Sequence, residues 1–149
     1  MKAREIMTPG PVTAIPGDSV RRAADIMREL NVGAVPVVED AHSNLLRGII
    51  TDRDIVIRCT AEGHSPGCPV RNHMTAIPLQ TVLPDDDAHE AIQKMERFQV
   101  RRIPVVTAGG ELRGIIAQAD VAMKLGPQEP REIEELLERV SAPSVPARA

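Results

Sequence analysis

Apolar positions along this chain recur with the period of a helix in some stretches and as short continuous runs in others. Val20, Ala23, Ala24, Met27 and Leu30 fall at i, i+3, i+4, i+7 and i+10, which predicts a helix over 19–30 with one apolar face. Arg21, Arg22, Asp25, Arg28 and Glu29 take the opposite face, and Asp18 or Ser19 can cap the helix by accepting a backbone N–H. Residues 11–15 before it alternate weakly and stop at Pro16-Gly17, as a short strand ending in a turn does. Val32 to Val38 is a short β-branched run that reads as a buried strand, with Pro36 tolerable at its start or edge. Leu46 to Thr51 predicts a second strand broken by Gly48. Asp52 to Arg58 begins another helix that Thr51 is placed to cap. The predicted order is strand, helix, strand, strand, helix.

The second half of the chain repeats that order. Leu79 to Leu83 predicts the strand, Asp85 to Asp87 the helix start, and 87–98 the helix. Three acids suit the positive end of a helix dipole. Ile103 to Val106 and Leu112 to Ala117 predict paired strands across a Gly109-Gly110 turn, and Gln118 to Lys124 a closing helix. The two halves match residue by residue. Met7-Thr8 returns as Met74-Thr75, Pro36-Val37-Val38 as Pro104-Val105-Val106, and Gly48-Ile49-Ile50 with Asp54 as Gly114-Ile115-Ile116 with Asp120. Two copies argue for packing about a pseudo-two-fold axis, because a solenoid needs at least about three units. The expected organisation is a first repeat over 1–60, a connector over 61–72, a second repeat over 73–125, and a C-terminal segment over 126–149. In that segment Ile133, Leu136, Leu137 and Val140 make an apolar stripe on a helix too short to stand alone. It must therefore lie on its own body or on a partner's. The tail from Ser141 to Ala149 is expected to be disordered.

Composition narrows the classes of function. Phe98 is the only aromatic residue among 149, and the net charge is −3, so neither base-stacking platforms nor a phosphate-tracking surface is present and nucleic acid is not an expected partner. No membrane span and no signal peptide are visible, and two cysteines make no disulfide framework. The expectation is a cytoplasmic protein with reduced thiols.

The turn Gly48-Ile49-Ile50-Thr51-Asp52-Arg53-Asp54 resembles the signature of the cystathionine-β-synthase-type (CBS) domain: glycine, two apolar residues, Ser or Thr, two variable residues, aspartate. The Met-Thr openings and Val-Pro-Val-Val strands are similar to that family as well, and the resemblance covers about residues 4–125. It implies an α/β (α+β) fold of two β-α-β-β-α repeats. It also implies a regulatory CBS pair (Bateman module) that binds adenosine-containing ligands in clefts between its repeats. Such pairs commonly form homodimers and regulate an enzyme, channel or transporter, here an unknown regulated protein.

Roles carried over from the family place Thr51, Asp54 and Ile50 in a first cleft with Val100 and Arg101, with Arg53 available to a phosphate. Asp120, Ile116 and Arg102 fall in a second with Val32 and Gly33. The aspartates would accept from ribose hydroxyls, and the Thr51 hydroxyl and helix N–H groups would favour a phosphate. Ala117 stands where the second signature should carry its hydroxyl, so the first cleft is expected to bind more tightly. Capping by Thr51 and Asp54 is a role they would serve with or without a ligand, and Arg101-Arg102 also suits a solvated surface.

Other constellations are weaker. Cys59, His64, Cys68 and His73 offer two thiolates and two imidazoles, adequate for zinc but without the compact Cys-x2-Cys spacing. A plain connector or a redox disulfide fits the same residues. No nucleophile accompanies the scattered histidines and no phosphate-binding glycine loop occurs, so an enzyme is not expected and no cofactor is required. The primary expectation is an adenine-nucleotide sensor of the AMP, ADP or ATP class. Its rival is a structural or metal-stabilised interaction protein whose clefts stay empty.

Overall fold

The computed structural model describes residues 1–141. The chain is mixed helix and strand, with two three-stranded sheets and six α-helices among the described residues. Helix α1 (Ala3–Ile6) and the two-residue strand β1 (Thr8–Pro9) come first. Helix α2 (Val20–Leu30) follows, then strands β2 (Ala34–Val38) and β3 (Leu46–Thr51). Helix α3 (Asp52–Asp54) runs straight into a π-helical turn, Ile55–Thr60. After a 3-10 turn at Val70–Asn72 come β4 (Thr75–Ala76), α4 (Ala88–Phe98), β5 (Arg102–Val106), β6 (Leu112–Ala117), α5 (Gln118–Leu125) and α6 (Pro130–Ser141).

The two amphipathic helices form as their patterns predict. Ser19 Oγ accepts from the Arg22 amide at 3.1 Å, and α2 ends where Asn31 turns left-handed at φ 53°. Asp87 caps α4 by accepting from the His89 amide at 2.9 Å, and Gln99 ends it at φ 54°. The buried face of α2 differs from the expected stripe: Ile26 is buried, whereas Leu30 is half exposed at the helix end.

Two expected strands are single contacts. Only Ala14 of residues 11–15 pairs with Val37, and only Val82 of 79–83 pairs with Val105, both in parallel. Prolines on both sides of each bridge supply the reason. Ala14 donates to Pro36 O at 3.0 Å and accepts from Val38 at 2.9 Å, but the preceding rung would need an N–H from Pro36 and the following one an N–H from Pro16, and neither has one. Pro104 and Pro84 block the second case in the same way.

The chain divides into two compact units, and neither is a continuous half. The first joins Met1–Pro9 to Gln80–Val105 and to residues 114–141. Its core holds Ile6, Ile92, Met95, Ile103, Ile116, Val121 and Leu125, and Ile133, Leu136 and Val140 of α6 are buried in it. The C-terminal stripe is thus covered by its own chain; Leu137 alone of the four is exposed. Residues 142–149 of the expected tail lie outside the described residues, while Ser141 closes α6.

The second unit joins Gly10–Leu79 to Val106–Arg113. One cluster holds Ala23, Ile26, Val35, Val37, Ile50 and Val70, and a smaller one at the hairpin tips holds Val38, Leu46, Val106 and Leu112. Strand β3 lies between β2 and β4, with Ala34 opposite Thr51 and Ile49 opposite Thr75. In the first unit β6 lies between β1 and β5, with Thr8 opposite Ile115. The Met-Thr segment that opens each sequence repeat therefore pairs with the hairpin of the other repeat. The two sheet glycines allow it. A Cβ on Gly48 would lie 2.6 Å from Thr75 O, and one on Gly114 would lie 2.8 Å from Thr8 O.

Candidate functional site

The strand-to-helix turn of each repeat holds an aspartate in the same way. In the second unit, the Asp54 amide donates to Thr51 Oγ1 at 3.1 Å, and the Thr51 amide donates to Asp54 Oδ2 at 3.0 Å. This reciprocal box satisfies two amides at the start of α3 and fixes the carboxylate. Asp54 Oδ1 faces Arg58 Nε at 3.6 Å, with the aspartate side chain only 13% exposed. Arg58 also donates to Met74 O at 3.2 Å, which ties the turn to the segment that follows the connector.

The first unit repeats the arrangement with one substitution. The Ala117 amide donates to Asp120 Oδ2 at 2.8 Å, but alanine offers no acceptor in return. A hydroxyl comes from elsewhere: Thr8 Oγ1 donates to Asp120 Oδ1 at 3.3 Å. Lys124 stands where Arg58 does in the first repeat and donates to Ile6 O at 3.1 Å. Each carboxylate thus has one oxygen committed to its cap and the other beside a donor. Roughly half of its four or so acceptor positions remain, enough for a pair of neighbouring hydroxyls.

The other predicted site residues are distributed by unit. Ile50 and Ile116, beside Thr51 and Ala117, are fully buried. In the second unit Val32 is exposed, Arg53 is exposed, and Gly33 O accepts from the Asp52 amide at 2.9 Å. In the first unit Val100 packs half-buried against the core, Arg101 is exposed and Arg102 half-buried. Arg101 O accepts from the Gln118 amide at 3.0 Å, which sets the start of α5. The contacts that Thr8, Arg58 and Lys124 make at or beside these turns were not legible in the sequence. For Arg58 and Lys124 the available signal was that the two cations fall at matched positions of the repeats.

The connector residues make a different environment. Cys59 Sγ lies 3.6 Å from both His64 O and Ser65 O, and burial, with Cys68 nearby, pushes its thiol up. The His64 and His73 rings are 5.2 Å apart, and His73 Nε2 is buried without a partner. Both cysteines are free. Among the described residues, Cys59, His64, Cys68 and His73 do not bring three ligating atoms within 4.8 Å of one another. No helix among the described residues is long and apolar enough to cross a membrane.

Residues 3–59 and 70–126 each match the family model of the CBS domain. The chain is 38% identical over 120 residues to the CBS domain-containing protein YhcV of Bacillus subtilis, covering 80% of this chain and 82% of that one. The crystal structure of Hypoxic Response Protein I with two coordinated zinc ions is similar at TM-score 0.74 and 34% identity, over 83% of this chain and 98% of that one. The CBS domain protein PAE2072 of Pyrobaculum aerophilum, complexed with AMP, is similar at TM-score 0.76 and 25% identity, over 95% and 100% of the two chains.

Proposed function

Because the chain belongs to the CBS domain family, whose unit it carries twice, we propose that it is a non-catalytic regulatory module. It binds an adenosine-containing ligand of the AMP, ADP or ATP class and signals to a partner protein. The observation that carries this reading is the preorganised aspartate at both strand-to-helix turns, Asp54 and Asp120, each with acceptor capacity to spare. The complex of PAE2072 with AMP supports the ligand class.

In this reading each carboxylate accepts from the two ribose hydroxyls. Holding the carboxylate in place beforehand removes part of the ordering cost of binding. Thr51 Oγ1 already accepts from the Asp54 amide, and its own proton is free to donate to a phosphate. Arg53 adds charge beside Thr51, as Arg101 and Arg102 do in the other unit. Titration calorimetry of AMP and ATP tests the assignment. Asp54→Ala and Asp120→Ala should each weaken one class of site by about tenfold or more. Undiminished binding by the double variant, folded by circular dichroism, would overturn it.

The module acts as a homodimer in this proposal. The support is apolar exposure at matched positions. Ile57 is 44% exposed and Met123 78%, and Leu30 and Phe98 at the ends of α2 and α4 are exposed as well. A surface repeated in each unit suits the self-complementary patch of a two-fold dimer.

A second reading, a metal-stabilised interaction protein, is favoured by the two zinc ions in the Hypoxic Response Protein I structure. Elemental analysis tests it through the connector. Stoichiometric zinc lost in Cys59→Ser and Cys68→Ser, together with no nucleotide binding, would replace the sensor reading.

A further inference from the structure

A separate group of side chains lies in the first unit, away in sequence from the aspartate turns and the connector. We infer that His89, Glu129 and Glu132 form a binding site for a divalent transition-metal ion of the zinc class. His89 is on the first turn of α4, Glu129 immediately precedes α6, and Glu132 is on its first turn. His89 Nε2 is 2.7 Å from Glu129 Oε2 and 3.4 Å from Glu132 Oε2. One ligating atom from each residue lies within 4.8 Å of the others. Tetrahedral zinc with bonds of about 2.0–2.1 Å sets its ligands about 3.3 Å apart, so small side-chain shifts admit the ion.

The other imidazole nitrogen supplies the orientation. His89 Nδ1 lies 2.7 Å from Asp87 Oδ1. A carboxylate there holds the ring proton on Nδ1 and aims the Nε2 lone pair at the glutamates, the outer-shell arrangement usual behind a metal-bound histidine. Neutral His89 then presents an acceptor to two further acceptors. Three such groups need a cation among them, either a proton on Nε2 or a metal ion.

No lysine or arginine among the described residues pairs with Glu129 or Glu132, whereas neighbouring Glu96 is paired to Arg139 at 3.0 Å. The three side chains are roughly one-third exposed, at 32%, 35% and 42%, which leaves room for water to complete the coordination. A cleft of about 580 Å³, lined in part by Ile92, Gln93, Glu129 and Glu132, opens beside them. A bound ion would clamp α6 onto the start of α4.

The test is calorimetric titration of zinc chloride into chelator-stripped, untagged full chain, with melting curves at the same metal levels. One zinc per chain is expected, with a rise in melting temperature. His89→Ala should weaken binding by about a hundredfold, and Glu129→Gln and Glu132→Gln by at least about tenfold each. Asp87→Asn preserves helix capping and should cost about tenfold through ring orientation. Cys59→Ser/Cys68→Ser should bind zinc as the parent does. If the parent fails to bind zinc at tens of micromolar, the site does not exist. Parent-like binding by folded Glu129→Gln/Glu132→Gln, or zinc lost in the cysteine double variant, would also overturn the assignment.

Discussion

Thr8 donates its hydroxyl to Asp120 Oδ1 across 3.3 Å, joining residues 112 positions apart. It reaches the aspartate whose own turn lacks a hydroxyl, because Ala117 occupies the position that Thr51 holds in the first repeat. At Asp54 the corresponding oxygen faces Arg58 instead. The two aspartates are therefore matched in backbone setting and different in partner.

That difference predicts unequal ligand sites. Ala117→Thr should restore the missing acceptor for the Asp120 amide and stabilise the start of α5 by about 1 kcal/mol. It should also tighten the proposed nucleotide site at Asp120 by up to roughly tenfold, while Thr51→Ala weakens the one proposed at Asp54 by a similar factor. Melting curves and AMP titrations of both variants read the two effects separately. Identical affinities at the two parent sites would refute the asymmetry.

The close approach of the Met-Thr segments predicts a sharp intolerance at two glycines. Gly48→Ala and Gly114→Ala would set a methyl against Thr75 O and Thr8 O, backbone atoms that have little room to move. Each should cost about 1–3 kcal/mol, read as a lower urea midpoint with an unchanged slope. Gly17→Ala, whose new methyl would meet nothing nearer than 3.8 Å, is the control and should be close to neutral.

Burial of α6 predicts that the C-terminal helix contributes to global stability. Leu136 is fully buried in the first unit's core. Leu136→Ala should cost about 2–5 kcal/mol through lost contact and cavity, measured by chemical denaturation. Leu137→Ala, on the exposed side, should cost far less.

Cys59 predicts a loss of stability in alkali. Burial raises its folded value above the ordinary one. The stabilisation from keeping the neutral thiol buried is complete below the unfolded value of about 8.5 and fades as pH rises through the folded value. The parent should therefore lose melting temperature more steeply than Cys59→Ala above about pH 8.5. Parallel curves for the two proteins would count against a buried, neutral thiol.

Matched apolar exposure predicts where the proposed dimer can be broken. Ile57→Glu and Met123→Glu place charge at exposed positions and should leave the fold intact while light scattering reports monomer. A dimer that survives both changes would move the interface elsewhere.

What the sequence determined by itself was local. The spacing of Val20, Ala23 and Met27 on α2, the caps at Ser19, Thr51 and Asp87, and the run from Leu46 to Thr51 all encode their elements within a dozen residues. The duplication also made the aspartate turns legible, because Asp54 and Asp120 close the same motif at the same place. Tertiary structure decided what depends on distant partners. The pairing of Thr8 with Ile115 and of Thr75 with Ile49 has no local signature, since two-residue strands carry no periodicity. The single rungs at Ala14 and Val82 were set by local prolines on one side and by prolines in other strands on the other, and the cover for Ile133 and Leu136 by a core assembled from three separated segments. Likewise, His89 meets Glu129 across 40 positions only because α6 packs against α4. Sequence spacing registers neighbours along the chain, whereas a core is a matter of which buried surfaces fit together, and that choice is made in three dimensions.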